Sequence, residues 1–271
     1  IARAQLASAV SNAGGLGVIE PSSGELDVVR GEIEKMRELT DRPFGVNIAQ
    51  AFVRDPSIVE FVVGQGVRLV TTSAGSPMKY TASLKAAGAT VFHVVPTLAA
   101  ALKAIEAGVD GLVVEGGEGG GFKNPRDLPI VAAGGITDGP SMAAAFALGA
   151  DAVQMGTRMV SALESPVHDN WKQAILAATD TGTVMLNRHT SPALRALRTG
   201  RTEALEFSDD NAMAQFGNPT DLYFGGDMES AIPLSGQVAG RIDEILPVQE
   251  IIDRTVAGFT ATIERLGAGV L

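Results

Sequence analysis

Cysteine is absent from the 271 residues, which removes disulfides, thiolate nucleophiles and Cys-ligated zinc or iron–sulfur sites. Aromatic residues make up 5% of the chain, with one Trp and two Tyr, and there are three histidines. Positive charge is short too: 21 Lys and Arg face 31 Asp and Glu, a net charge of −10. That balance argues against a nucleic-acid or polybasic membrane surface, which needs clustered Lys and Arg. No apolar run reaches the ~18 residues that would suggest a membrane span. What is present is a 45% hydrophobic, 19% charged composition, enough for a packed core and unlike a disordered chain. Glycine is abundant, with 32 residues. The chain reads as a soluble, cytoplasmic α/β protein, either one large barrel or two smaller domains.

Short β-branched runs alternate with Ala-, Leu- and Glu-rich stretches at helical spacing. The runs Gly15–Ile19, Phe44–Ala49, Leu69–Ser73, Val91–Val95, Gly111–Glu115, Ile130–Ala133 and Ala152–Thr157 are apolar almost throughout, as strands of a parallel sheet buried on both faces are. The spacing predicts helices over Leu26–Leu39, Pro56–Gln65, Tyr80–Ala87, Leu98–Ala107 and Pro140–Leu148. Gly66, Gly88, Gly108 and Gly149 each sit where a helix ends in the left-handed conformation. A βα unit repeated this often points to a (β/α)8 TIM barrel.

A barrel of this type needs eight strands and the count is seven. Residues Ala2–Ala13 already read as a helix, so a first strand is expected upstream, outside this chain. A surface helix is expected to be missing between Asp127 and Leu128, because neighbouring parallel strands need a crossover of roughly ten or more residues. The alternative is a degenerate barrel in which a Gly-rich loop crosses alone. After Thr157 the alternation stops. Residues 161–235 read as a mostly helical cap carrying Arg188, Arg195, Arg198 and Arg201, with the barrel domain at 1–160 and 236–271. Pro247–Leu266 reads as a closing amphipathic helix.

With the absent strand counted first, Ile130–Ala133 is the seventh strand and Ala152–Thr157 the eighth. The turns after these two strands are the usual phosphate site of such barrels. Gly134-Gly135 and Gly156-Thr157 stand there, offering close backbone approach, N–H donors and a hydroxyl. Tight βα turns need the same glycines. No metal site is evident. His93 sits in a buried run, as a satisfied core residue or at the barrel mouth, and His168 and His189 read as structural or surface residues. Ser73 and Ser76 follow a strand, but no Ser–His–Asp set assembles and the G-x-S-x-G elbow is missing. Glu115 and Glu118 flank one strand end, as a carboxylate pair or with Glu115 anchoring the Gly loop. So few reactive side chains in a Gly-lined mouth fit a flavin mononucleotide (FMN), which carries its own redox chemistry. The loop from Glu115 to Gly121 has almost no side chains and suits a flat ring. Asn47 has donors and acceptors for a ring edge, or serves a βα turn.

At these residues the chain resembles the nitronate monooxygenase (2-nitropropane dioxygenase) family, which includes flavin-dependent enoyl-acyl-carrier-protein reductases. The matching pieces are Asn12 to Gly17, Pro43 to Asn47, Glu115 to Gly121, Pro129 to Ile136 and Gly149 to Thr157, with Ser235 to Gly240 near the end. The resemblance implies an FMN barrel. It places Asn47, Gly120 and Gly121 by the isoalloxazine, and Gly134, Gly135, Gln154, Met155, Gly156 and Thr157 around the ribityl phosphate. It also implies that the missing first strand normally supplies flavin contacts.

The chain departs from the family where the Gly loop is normally followed by a histidine: here Phe122 stands, then Lys123 and Asn124. Phenylalanine neither abstracts nor relays a proton. The family's basic residue near His93 is replaced by Val94. Hydride exchange with the flavin remains, and Lys123 is a candidate to stabilise a substrate oxygen, or a solvated surface lysine. The segment Gly119 to Asp127 resembles an actinobacterial branch associated with acyl-coenzyme A thioesters, including steroid-ring degradation products. Arg195, Arg198 and Arg201 at helical spacing form one face, for coenzyme A phosphates or for solvent. The expectation is therefore an FMN-dependent reductase of an unsaturated or ring-bearing acyl-CoA, with NAD(P)H as donor and a homodimer as its state. The alternatives are a nitronate monooxygenase and a non-redox phosphate-binding barrel.

Overall fold

The structure, a computed structural model, describes residues 2–22, 24–115, 128–190 and 192–269. The chain divides into two compact units: a larger one of residues 2–134, 138–154 and 248–271, and a smaller one of 135–137 and 155–247.

The larger unit is built on a seven-stranded sheet in chain order, every neighbouring pair parallel. The strands are β1 (Gly17–Ile19), β2 (Phe44–Ala49), β3 (Leu69–Ser73), β4 (Thr90–Val95), β5 (Gly111–Glu115), β6 (Ile130–Ala133) and β7 (Ala152–Gln154). The helices are α1 (Ala4–Asn12), α2 (Leu26–Leu39), α3 (Ile58–Gly64), α4 (Thr81–Ala86), α5 (Leu98–Ala107) and α6 (Gly139–Ala147), and the long α11 (Val248–Gly267) returns to this unit. This is the winding of a (β/α) barrel, with β1 and β7 as the outer strands of the described sheet. Gly66, Gly88, Gly108 and Gly149 all have positive φ, so the expected left-handed residues do end the helices.

Two side-chain rows separate cleanly. Ile19, Val46, Ile48, Val70, Val91, Val95, Leu112, Val114 and Ile130 point to the helices and form one buried cluster with Val29, Ile33, Met36 and Leu84. The alternate residues, among them Asn47, Thr71, Ser73, Phe92, Val94 and Glu115, line the other, inner face. The inner face therefore holds the strand side chains available to a ligand.

The smaller unit contains α7 (Thr157–Val160), α8 (Asp169–Leu176), β8 (Thr183–Leu186), β9 (Leu194–Leu197), α9 (Gly200–Glu206) and α10 (Pro219–Tyr223). Trp171 is fully buried, stacks on Tyr223 at 5.1 Å between ring centres, and donates from Nε1 to Ser235 Oγ at 3.3 Å. Two expectations are corrected here. The eighth predicted strand ends at Gln154, and Thr157 opens a helix, because Gly156 (φ −97°, ψ −75°) turns the chain. The stretch around the arginines contains an antiparallel ribbon of β8 and β9, with Thr183 opposite Leu197 and Leu186 opposite Leu194. Val184, Leu186 and Ala196 are buried there, the alternation of a half-buried sheet. No helix among the described residues is long and apolar enough to cross a membrane.

In the larger unit α6 and α11 cross closely. A Cβ on Gly139 would lie 2.1 Å from the Gly258 carbonyl carbon and 2.2 Å from the Phe259 nitrogen, both backbone. Phe146 meets Phe259 edge-on at 5.1 Å beside this crossing. Gly139→Ala is expected to lower stability by about 3 kcal/mol, because neither backbone yields. Gly31, inside α2 with nothing within 4 Å of a Cβ, gives the opposite sign: Gly31→Ala is expected to add about 0.5–1 kcal/mol. Urea midpoints of the two variants check both signs.

Candidate functional site

Parallel strands open all their C-terminal ends on one rim of the sheet, and the chemistry-bearing residues follow from that. Ala133 pairs with Gln154, so β6 and β7 end side by side and the turns after them leave neighbouring positions. Gly134 (φ 85°) and Gly135 (φ 74°) are both left-handed and exposed, a pair of conformations that residues with a Cβ rarely adopt. In the smaller unit Gly156 is exposed, with nothing within 4 Å of where a Cβ would stand. Next to it Thr157 Oγ1 accepts from the Gly236 N–H at 2.8 Å, which leaves its own hydroxyl hydrogen to donate. Open space against bare backbone, with a held hydroxyl beside it, suits a phosphate group. Gly236 was singled out in sequence only as part of a motif, since its bond to Thr157 spans 79 residues.

Asn47 lies on the inner face in β2, half-buried. Its Oδ1 accepts from Thr71 Oγ1 at 2.8 Å and its Nδ2 donates to Ser73 Oγ at 3.1 Å. One N–H and one lone pair of the amide remain. Phe92 shares the inner face, its ring lying where a Gly111 Cβ would be, at 2.6 Å. Among the described strand residues the inner face carries a single titratable side chain, Glu115, which is exposed at the end of β5. Gly120, Gly121, Phe122 and Lys123, with Glu118, lie outside the described residues.

The loop after β3 is held from two sides. Ala74 is left-handed (φ 52°), uncommon for a residue with a Cβ. Gly75 passes so close to Gln50 that a Cβ would meet Oε1 at 2.5 Å. Gln50 is buried, donates from Nε2 to the Ser76 carbonyl at 3.0 Å, and its Oε1 has no hydrogen-bond partner. Ser76 Oγ accepts from the Met78 N–H at 3.3 Å and so caps a 3₁₀ turn, which is a structural use of that serine.

His93 points to the helix side of β4, not the inner face. It is 3% exposed and its Nδ1 bonds to Thr72 Oγ1 at 2.6 Å. Burial lowers its pKa below the usual imidazole value, partly offset by a hydrogen bond to the Gly75 backbone. It is the satisfied core histidine of the two readings. His168 accepts from the Asn170 N–H at 3.1 Å and caps α8, and His189 is exposed. The arginine face does not form. Arg195 is in β9, bonded to Thr183 Oγ1 at 3.1 Å, while Arg201 is in α9. Arg188 and Arg198 pair with Glu206 at 3.0 and 3.1 Å, and Arg201 donates to the Gln215 carbonyl at 2.6 Å. Glu206 pairs with Arg188 and Arg198, and the four arginines are divided between a strand, a helix and the segments beside them, so they do not form one helical basic face.

Comparisons with known proteins agree with this architecture. The nitronate monooxygenase family model matches residues 1–56 and 49–258. A Mycobacterium tuberculosis protein named (3aS,4S,5R,7aS)-5-hydroxy-7a-methyl-1-oxo-octahydro-1H-indene-4-carboxyl-CoA dehydrogenase is 36% identical over 76% of this chain and 62% of its own length. The Rhodococcus jostii protein of the same name is 30% identical over 99% of this chain and 92% of its own. Against the mycobacterial relative the match thus spans less than two thirds of that protein's length. Among solved structures, FabK from Thermotoga maritima is 38% identical with a TM-score of 0.88, covering 99% of this chain and 92% of that one.

The buried, neutral His93 gives a pH dependence whose sign is set. Its native pKa lies below that of the unfolded chain, so on acidification the unfolded state takes up the proton first and stability falls. The loss begins as pH drops through about 6.5. Above neutrality this residue adds no slope. The wild type is expected to lose more of its urea midpoint between pH 7.5 and 5.5 than His93→Gln does; equal losses would show that His93 takes up its proton alike in both states.

Proposed function

The chain belongs to the nitronate monooxygenase family, and from that premise we propose that it is an FMN-dependent oxidoreductase exchanging a hydride with a ring-bearing acyl-CoA thioester, with NAD(P)H as the second redox partner. The proposal takes it as a cytoplasmic enzyme. The observation that carries the cofactor is the pair of neighbouring strand ends, Ala133 and Gln154, each followed by exposed glycine turns. The substrate class comes from the two indene-carboxyl-CoA dehydrogenases, and the NAD(P)H partner from the resemblance to enoyl-acyl-carrier-protein reductases.

In this reading the Gly135 and Gly156 backbones and the Thr157 hydroxyl hold the ribityl phosphate, with Gly134, Gln154 and Met155 beside them. Asn47 meets the ring edge, and Gly120 and Gly121 lie against the ring. When bound, FMN supplies the hydride exchange at its ring nitrogen N5. The chain's own residues bind, orient and exclude water. Ala49, Phe92, Val94, Val113, Val131 and Ala133 make most of the inner face apolar, which strengthens the few polar contacts made there. With His93 turned to the helices and Phe122 in place of the family histidine, no histidine is assigned to proton transfer. That favours the acyl-CoA reading over nitronate oxidation, which relies on a base. Lys123 stays the proposed electrophilic group for a substrate oxygen.

Anaerobic reconstitution with FMN separates the readings. NAD(P)H is expected to bleach the flavin, and an unsaturated, ring-bearing acyl-CoA, which accepts the hydride at its double bond, to restore its colour. Bleaching by an alkyl nitronate with no response to NAD(P)H would assign the monooxygenase activity instead, and failure to bind FMN would leave only the phosphate-binding barrel. Gly156→Asp places a carboxylate beside the phosphate at a backbone angle open to any residue and in open space. FMN affinity is expected to fall at least about tenfold with melting temperature unchanged; unaltered affinity would remove Gly156 from the phosphate site.

A further inference from the structure

The inner face carries a connected polar ladder of which the family resemblance assigns Asn47 alone. Asn47, Thr71 and Ser73 project from β2 and β3 on the same side, with Asn47 opposite Thr71 and Ala49 opposite Ser73. The Thr71 hydroxyl donates to Asn47 Oδ1 at 2.8 Å, and Asn47 Nδ2 donates to Ser73 Oγ at 3.1 Å. The ladder has a direction. The Thr71 hydroxyl gives its hydrogen to the amide oxygen, and the Ser73 hydroxyl takes one from the amide nitrogen. With the oxygen pinned on the Thr71 side, the amide NH2 faces Ser73. Ser73 Oγ, having accepted from Asn47, keeps its own hydrogen to give. The donors left over are therefore one Asn47 N–H and the Ser73 O–H.

We infer that Thr71 and Ser73 are positioning residues that fix the Asn47 amide so that this face offers hydrogen-bond donors to the acceptor edge of the flavin ring. The inference rests on the FMN reading above. It goes beyond it by naming which end of the amide faces the ring and what holds it so. A flavin presents carbonyl oxygens and ring nitrogens along that edge, and they become more electron-rich on reduction. Oriented donors in a mostly apolar setting stabilise such charge more than a freely turning amide does. The ladder thus favours the reduced flavin.

The test uses Thr71→Val, which keeps the shape and removes the donor, and Thr71→Ser, which keeps the hydroxyl. Each protein is titrated with FMN, and the potential of its bound flavin is measured against a reference dye. Thr71→Val is expected to bind oxidised FMN about fivefold more weakly, the worth of one ordinary hydrogen bond. It is expected to lose about tenfold in the ratio of reduced to oxidised affinity, about 30 mV downward for a two-electron couple. Thr71→Ser is expected to restore both. If Thr71→Val melts lower but holds FMN with unchanged affinity and potential, the ladder is structural only and the inference is overturned while the flavin reading stands. If the wild type itself fails to bind FMN, the flavin reading falls and takes this inference with it.

Discussion

All seven described strands of the larger unit run in one direction, and most of what the protein can do follows from that single constraint. Parallel neighbours force a crossover after each strand, and the crossovers place α2 to α5 over one face. The same direction brings every strand's C-terminal end to one rim. Asn47, Ser73, Glu115, Gly134 and Gln154 all stand at or near such ends without any local sequence signal linking them.

The period-2 alternation of strands then divides labour between the faces. The helix side takes Ile, Val and Leu and also the two polar residues that need each other, Thr72 and His93. Neither leaves its strand-side polar atom bare, as burial requires. Among the described strand residues, the inner side takes the amides, the hydroxyls and one carboxylate, Glu115. A histidine on β4 would serve chemistry if it pointed inward; one residue of register puts it in the core instead.

The smaller unit shows how local charge patterns mislead. Arginines at positions 195, 198 and 201 have the spacing of one helical face. Pairing of Thr183 with Leu197 and Leu186 with Leu194 claims the segment for a strand, and Glu203 and Glu206 pair with Arg198. Cross-strand partners a dozen residues away outweigh an i, i+3 pattern, because strand propensity is chiefly the packing of a half-buried surface.

Much of the barrel was legible in the amino-acid order alone. Phe44–Ala49, Leu69–Ser73, Gly111–Glu115 and Ile130–Ala133 stand where their apolar runs place them, and α2 and α5 match their helical spacing. Those signals are local: β-branched runs and glycines that alone accept a left-handed turn. The glycines at 134, 135 and 156 were legible as candidates because they follow the last two parallel strands; of the three, Gly134 and Gly135 are left-handed and Gly156 is not. What only the folded chain decided is which polar groups meet. Thr71 reaches Asn47 across 24 residues, Gly236 reaches Thr157 across 79, and His93 turns from the inner face to Thr72. Register and inter-element packing set these meetings, and no window of neighbouring residues contains them.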